Sequence, residues 1–203
     1  MQASKREVLL LLGRTLLALP VAMALWYFAS PFLNEFAGHV AKPVIGVSSG
    51  GTVTTVAMRD RTVHYEIRLY PEYQAGRARP PAHADVDVNA SLYTFGLALF
   101  LALSAAARAS RRAAPVFAGV VALMLLPAWG VTFDALKQLA GTPELATYLG
   151  YSGTGREAIA LGYQVGTLLL PTLAPIALWL GLNPEITVQS YKLHGSSEGS
   201  PAP

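Results

Sequence analysis

"DVDVNASLYTFGLALFLAL", residues Asp85–Leu103, changes its hydrophobic period within a few positions. From Asp85 to Val88 acidic and apolar side chains alternate, which puts Val86 and Val88 on one face of a strand. From Ala90 to Ala107 the chain is predominantly apolar, the pattern of a membrane-crossing helix. This junction therefore joins a small β-rich unit to a membrane-embedded helical one.

Three further stretches are apolar over the roughly 20 residues that a crossing needs. The expected spans are Val8–Ser30, Ala90–Ala107, Ala113–Phe133 and Ile159–Leu182. Composition agrees, since 53% of the 203 residues are hydrophobic and 13% charged, against about 25% charged in a soluble domain. The formal charge of +3, with no basic run beside aromatics, excludes nucleic acid and leaves the lipid bilayer as the first partner. The chain has no cysteine, which removes disulfides, thiolate metal sites and cysteine nucleophiles together.

Basic flanks orient the spans. Lys5 and Arg6 precede the first, and Arg108, Arg111 and Arg112 fill the turn between the second and third. Both flanks are expected in the cytoplasm, and so are both termini, with Lys192 in agreement. The basic residues between Pro31 and Asn89 do not oppose this, because the rule weakens in loops of about 60 residues. Trp26, Tyr27, Phe28, Tyr93, Phe95, Trp129, Phe133 and Tyr163 fall at the outer ends of the spans, as an aromatic belt does. Lys5-Arg6, the apolar stretch and Ala22-Met23-Ala24 also have the layout of a cleavable signal. The run continues through Leu25-Trp26-Tyr27-Phe28, so retention as an anchor is expected.

The predicted fold is an α-helical integral membrane protein of four transmembrane helices, with a small periplasmic β-rich domain between helices 1 and 2. Residues 1–30 hold the cytoplasmic N-terminus and first helix, 31–89 the β-rich domain, and 90–107 the second helix. A cytoplasmic turn at 108–112, the third helix at 113–133, a periplasmic loop at 134–158, the fourth helix at 159–182 and a tail at 183–203 complete the chain. In the β-rich domain Val63, Tyr65, Ile67 and Leu69 alternate with Thr62, His64, Glu66 and Arg68, a strand with one buried face. "TVTTVAM" before it is the expected hairpin partner, connected by Met58-Arg59-Asp60-Arg61.

His83, Asp85 and Asp87 share one strand face and have the ligand types for a divalent cation. Three adjacent ligands on a flat strand converge poorly, so a solvated face is the expectation there and at His64 with Glu66. No metal or cofactor is expected. Candidate interaction residues are Asp134, Lys137, Arg156, Glu157 and Gln164, just after the third span and at the start of the fourth. Asp134 and Lys137 are spaced for a local helical pair, and Glu157 suits the N-terminal end of a helix. Gly162 with Gly166, and Ala98 with Ala102 and Ala106, form small-residue stripes that allow helices to approach closely. Gln164 sits beside the glycines, where an amide can hydrogen-bond across a helix contact. Pro171 and Pro175 are expected to kink the last helix, with Thr167 and Thr172 re-satisfying freed backbone groups. No histidine and no carboxylate pair lies inside a span, so no hydrolase set is legible.

"LALPVAMALWYFASP", "DVDVNASLYTFGLALFLAL", "WGVTFDALKQLA" and "REAIALGYQVGTLLLPTLAPIALWL" together resemble the exosortase H-associated membrane proteins. Asn89-Ala90 stands where an Asn-Pro is expected. The resemblance implies association with an exosortase, an integral-membrane cysteine transpeptidase that processes proteins bearing a C-terminal sorting signal. A chain without cysteine is not that enzyme. The expected function is a non-enzymatic accessory or scaffolding protein of the bacterial inner membrane, whose partner is the transpeptidase or its cargo. Arg59, Arg61, Arg68 or the 71–81 loop would meet that partner outside. The competing readings are a small enzyme or carrier acting on lipid or peptide at the outer interface, and a subunit of an unrelated membrane complex.

Overall fold

The structure, a computed structural model, describes residues 2–70, 80–107 and 113–183. The arginine turn at 108–112, most of the 71–81 loop and the tail after Asn183 lie outside the described residues. The chain folds as α1 (Gln2–Ser48), β1 (Gly51–Arg59), β2 (Thr62–Leu69), β3 (Ala82–Val88), α2 (Ser91–Thr94) and α3 (Gly96–Ala106). It continues as α4 (Ala113–Leu125), α5 (Pro127–Gly141), α6 (Pro143–Tyr148), α7 (Gly153–Gln164), a π-helical segment (Val165–Leu169) and α8 (Leu170–Leu182).

Three helical stretches are long and apolar enough to cross a membrane: Leu9–Ser48, Ala113–Gly141 and Gly153–Leu182. The apolar helix Ser91–Ala106 is shorter, about 24 Å at about 1.5 Å per residue. The helices also overrun their expected ends. Residues 31–48, expected inside the β-rich domain, continue α1, which at 47 residues is about 70 Å long. Pro31 does not stop it, because proline removes one hydrogen bond while tertiary burial holds the rest. Leu33, Ala37, Ala41 and Ile45 recur at helical spacing and are buried. Likewise α5 carries Asp134 through to Gly141, where a loop is expected, since Val131, Ala135, Leu136 and Leu139 keep one buried face. The last apolar helix starts at Gly153 rather than Ile159.

The strands form an antiparallel sheet in the order β1-β2-β3. Val63 pairs with Val88 and Tyr65 with Val86, so the inward side chains of neighbouring strands stack. The β1–β2 turn is tighter than expected, at Asp60-Arg61, with Asp60 at φ 56°; aspartate tolerates this left-handed region better than most residues. A bulge lies between Val53 and Thr55. Two strands alone are marginal; here a third strand adds an apolar face, and helices cover it. Val63, Tyr65, Ile67, Leu69, Val86 and Val88 share a core with Ala37, Ala41 and Ile45 of α1 and Val131, Ala135 and Leu139 of α5. Full burial of each large side chain contributes about 1.5–3 kcal/mol. The Tyr65 hydroxyl crosses that core and donates to the Gly38 carbonyl at 3.0 Å. Burial pushes its pKa above the ordinary 10.0.

Aromatic side chains of α1, α2 and α5 join the apolar helices to one another. Trp26 Nε1 donates to Thr94 Oγ1 at 3.2 Å, and Trp129 Nε1 to the Gly162 carbonyl at 3.1 Å. The Tyr93 ring lies against Gly130 and the Phe133 ring against Gly162. In the last helix the π-helical segment ends just before Pro171, where the Leu170 N–H reaches back to the Val165 carbonyl. The wider turn accommodates a ring that clashes with the carbonyl four residues earlier. Thr167 and Thr172 donate to the Tyr163 and Leu168 carbonyls, four residues back.

Candidate functional site

The five candidate interaction residues separate. Asp134 points into the protein and accepts from the Tyr93 hydroxyl at 2.9 Å and from Gln138 Nε2 at 3.3 Å. Gln138 also donates to the Asp87 carbonyl at 2.8 Å, so this carboxylate helps tie α5 to both α2 and β3. Lys137 turns the other way, its ammonium 3.7 Å from the Tyr163 ring centre, a contact of the cation–π kind. Asp134 and Lys137 thus do not form the local pair that their spacing allows, because each has a nearer partner on another helix.

Arg156, Glu157 and Gln164 are exposed on α7. Ser152 caps that helix, accepting from the Gly155 N–H at 3.0 Å. Glu157 therefore lies beyond the first turn, where the helix dipole is weak. Among the described residues the ion pairs are Glu35 with His39 at 4.0 Å and His64 with Asp87 at 2.7 Å. Neither involves the five candidates.

The small-residue stripes are filled from within the chain. Ala98 and Ala102 pack on Ala22, beside Leu19 and Trp26 of α1. Ala106 is buried as well. A Cβ added at Gly162 would meet the Phe133 ring at 2.2 Å, and one at Gly166 the Gly130 Cα at 2.8 Å. Gln164, exposed one step from these contacts, makes no bond across them.

On the sheet's other face the register sets His64 opposite Asp87, Glu66 opposite Asp85 and Arg68 opposite His83. The His64 side chain is only 6% exposed, although its position in the alternation is an outer one, and its Nδ1 lies 2.7 Å from Asp87. Glu66 accepts from Thr55 at 2.7 Å. Among the described residues no three His, Asp or Glu side chains gather to hold a metal ion, and the strand face spreads His83, Asp85 and Asp87 along its length.

Two features were not legible in the sequence. One is a buried polar knot on Asn34, which is 0% exposed. Its Nδ2 donates to the Arg61 carbonyl at 3.1 Å and Ser91 Oγ at 2.8 Å, and its Oδ1 accepts from Thr94 at 3.0 Å. It ties α1 to the β1–β2 turn and to α2, while the Arg61 guanidinium lies 3.6 Å over the Tyr27 ring. The other is an apolar cleft of about 700 Å³ between the end of α1 and the α4–α5 helix. Val40, Val44 and Ser48 form one wall, and Leu125, Trp129 and Phe133 the other. None of the five candidates lines it.

Residues 5–186 match the model of the family described as exosortase H-associated membrane protein. The chain belongs to that family, whose description associates it with an exosortase system. No curated protein and no solved structure matches the chain.

Proposed function

We propose that the protein is a non-enzymatic accessory or scaffolding subunit of an exosortase-linked sorting system in the bacterial inner membrane. Family membership is the observation that carries this reading. It is supported by the absence of cysteine, which denies the chain the transpeptidase's own nucleophile. The dispersal of Asp134, Lys137, Arg156, Glu157 and Gln164 adds weight, since a reaction needs its groups converging on one substrate.

In this proposal all four apolar helices cross the bilayer, both termini lie in the cytoplasm, and the sheet stands in the periplasm. The contacts between Trp26, Tyr93, Trp129 and Phe133 and the neighbouring helices favour one interfacial level for these side chains. The short helix Ser91–Ala106 spans by local thinning of the bilayer. With the small-residue stripes filled internally, the surface offered to the transpeptidase or its cargo is the outer face of the sheet. Glu66, Arg68, His83 and Asp85 are exposed there with both signs of charge interspersed.

A C-terminally tagged chain crosslinked in native membranes tests the reading, with co-purifying proteins identified by mass spectrometry. Recovery of an exosortase or a protein bearing its sorting signal is expected. Recovery of an unrelated complex, or of the chain alone, would falsify it.

A further inference from the structure

Two cations beside the apolar helices are held by aromatic rings rather than by acids. The Arg61 guanidinium lies 3.6 Å over the Tyr27 ring, and the Lys137 ammonium 3.7 Å over the Tyr163 ring. Among the described residues neither cation enters an ion pair. Asp134, close to Lys137 in sequence, is turned instead to Tyr93 and Gln138. A ring face attracts the charge but leaves N–H groups at the cation's rim able to donate. Both cations are therefore positioned with donors to spare.

Helix length puts the two pairs at one level. Leu9–Phe28 is a run of 20 residues with Arg14 as its only charge, and Tyr163–Leu182 is a run of 20 with none. Each rises about 30 Å, the thickness of the hydrocarbon core. With the two runs crossing in opposite directions, Tyr27 at the end of one and Tyr163 at the start of the other reach the same boundary. Arg14 lies about 8 Å from the far boundary, within reach of water by snorkelling. The path of Arg61 points the same way. Its carbonyl accepts from Asn34, while its guanidinium reaches Tyr27, seven residues or about 10 Å earlier on α1. The side chain thus runs from its backbone toward the bilayer, where hydrocarbon penalises the charge and a phosphate welcomes it.

We propose that the β1–β2 hairpin stands tip-down on the membrane, with Arg61 and Lys137 donating to phosphate oxygens of phospholipids in that leaflet. The planar guanidinium suits two oxygens of one phosphodiester, and the ammonium acts as a point charge. The tip carries Arg59, Asp60 and Arg61, so one net positive charge faces the headgroups. Arg61 is thereby assigned to lipid, while Arg68, on the outer face of the sheet, stays available to a protein partner. This inference rests on the membrane placement proposed for the helices and is independent of any role in protein sorting.

Because the chain has no cysteine, a single introduced cysteine takes a fluorophore at one chosen site. The full chain is placed in nanodiscs of phosphatidylglycerol and phosphatidylcholine, with a nitroxide on either the headgroup or the acyl chain of the phosphatidylcholine. Arg59→Cys at the hairpin tip should be quenched by the headgroup nitroxide severalfold more than Thr52→Cys, about 23 Å away along the same strand. Leu17→Cys, at a site 80% exposed on α1, should respond to the acyl-chain nitroxide. Equal headgroup quenching at 59 and 52 with Leu17 quenched overturns the tip-down placement, whereas an unquenched Leu17 overturns the membrane placement beneath it. Native mass spectrometry then reads phosphatidylglycerol retained by the chain. Arg61→Gln and Lys137→Gln should each lower it severalfold, while Arg61→Lys and Arg68→Gln leave it near that of the unaltered chain. Lys137→Gln, at an exposed site, carries the test if Arg61→Gln fails to fold. Unchanged retention in a glutamine variant overturns the phosphate contact at that cation. So does a co-purified protein, in place of lipid, that the variant loses, which would mark the cation as a contact for an acidic partner.

Discussion

The proximal and distal parts of α1 belong to one unbroken helix, yet they are packed by different rules. Before Ser30 a narrow stripe, Ala18, Leu19, Ala22 and Trp26, meets α3. Leu16, Leu17, Val21, Leu25 and Phe28 stand exposed around it. Lipid tails solvate such side chains as well as a protein core does, so close packing of small residues is enough. After Pro31 the helix buries a full face under a sheet and is locked by Asn34 to the Arg61 turn. The sheet must gain its stability from hydrophobic burial, and it draws that burial from the helix. The same element is thus a membrane anchor at one end and the floor of a β domain at the other.

Five substitutions test this contrast. The largest effect is expected from Tyr65→Ala, which empties a fully buried site between sheet and helix and should cost about 3–5 kcal/mol. Amide exchange read by mass spectrometry should show the three strands opening while α3 and α8 stay protected. Opening of α3 and α8 in step with the strands would mean that the two regions are one cooperative unit.

Glycine gives a paired test on α1. A Cβ at Gly38 would lie 2.7 Å from Val63 Cγ1, whereas one at Gly13 meets nothing within 4 Å. Gly38→Leu should lower thermal stability in detergent by about 1–3 kcal/mol. Gly13→Leu should raise it by up to about 1 kcal/mol, because leucine is the better helix former and has room. Equal effects at both sites would erase the distinction between the two ends.

Asn34→Leu keeps the side chain's branched shape but orphans the Arg61 carbonyl, Ser91 and Thr94, at a cost of about 1–3 kcal/mol. The β1–β2 turn should become sensitive to protease first. The smallest effect is alkaline. The folded-state pKa of Tyr65 is raised above the ordinary 10.0, so the unfolded chain loses its proton first as pH climbs. Its contribution is therefore fully present below pH 10 and is lost progressively above it. Tyr65→Phe should flatten part of that decline in a pH series of melting midpoints; an unchanged slope would place the titrating group elsewhere.

Much of the fold was legible because period and length are local properties. The alternation in β2, the partner strand at Gly51–Arg59, the valines of β3 and the apolar runs all follow from side-chain spacing. Helix ends were not, because Pro31 and Asp134 read as terminators only until a neighbouring surface buries the other side of the helix. His64 reads as an outer residue in β2, and only the register reveals Asp87 across from it. The five candidate interaction residues do not gather in one place, for a related reason. Residues 134 to 164 are close along the chain, but helical rotation sends Asp134 inward to Tyr93 and leaves Arg156, Glu157 and Gln164 outside.

By itself the sequence determined a membrane protein with a small sheet after its first helix, without cysteine chemistry, and similar to one family. Those conclusions need only composition, periodicity and motif, which are present before any residue meets a distant one. The tertiary structure alone decided that α1 doubles as the sheet's floor, that the glycine and alanine stripes are consumed internally, and that an apolar cleft remains open beside Trp129. Each of these depends on which surfaces compete for the same face of a helix, and burial settles that competition only when all the elements are in place.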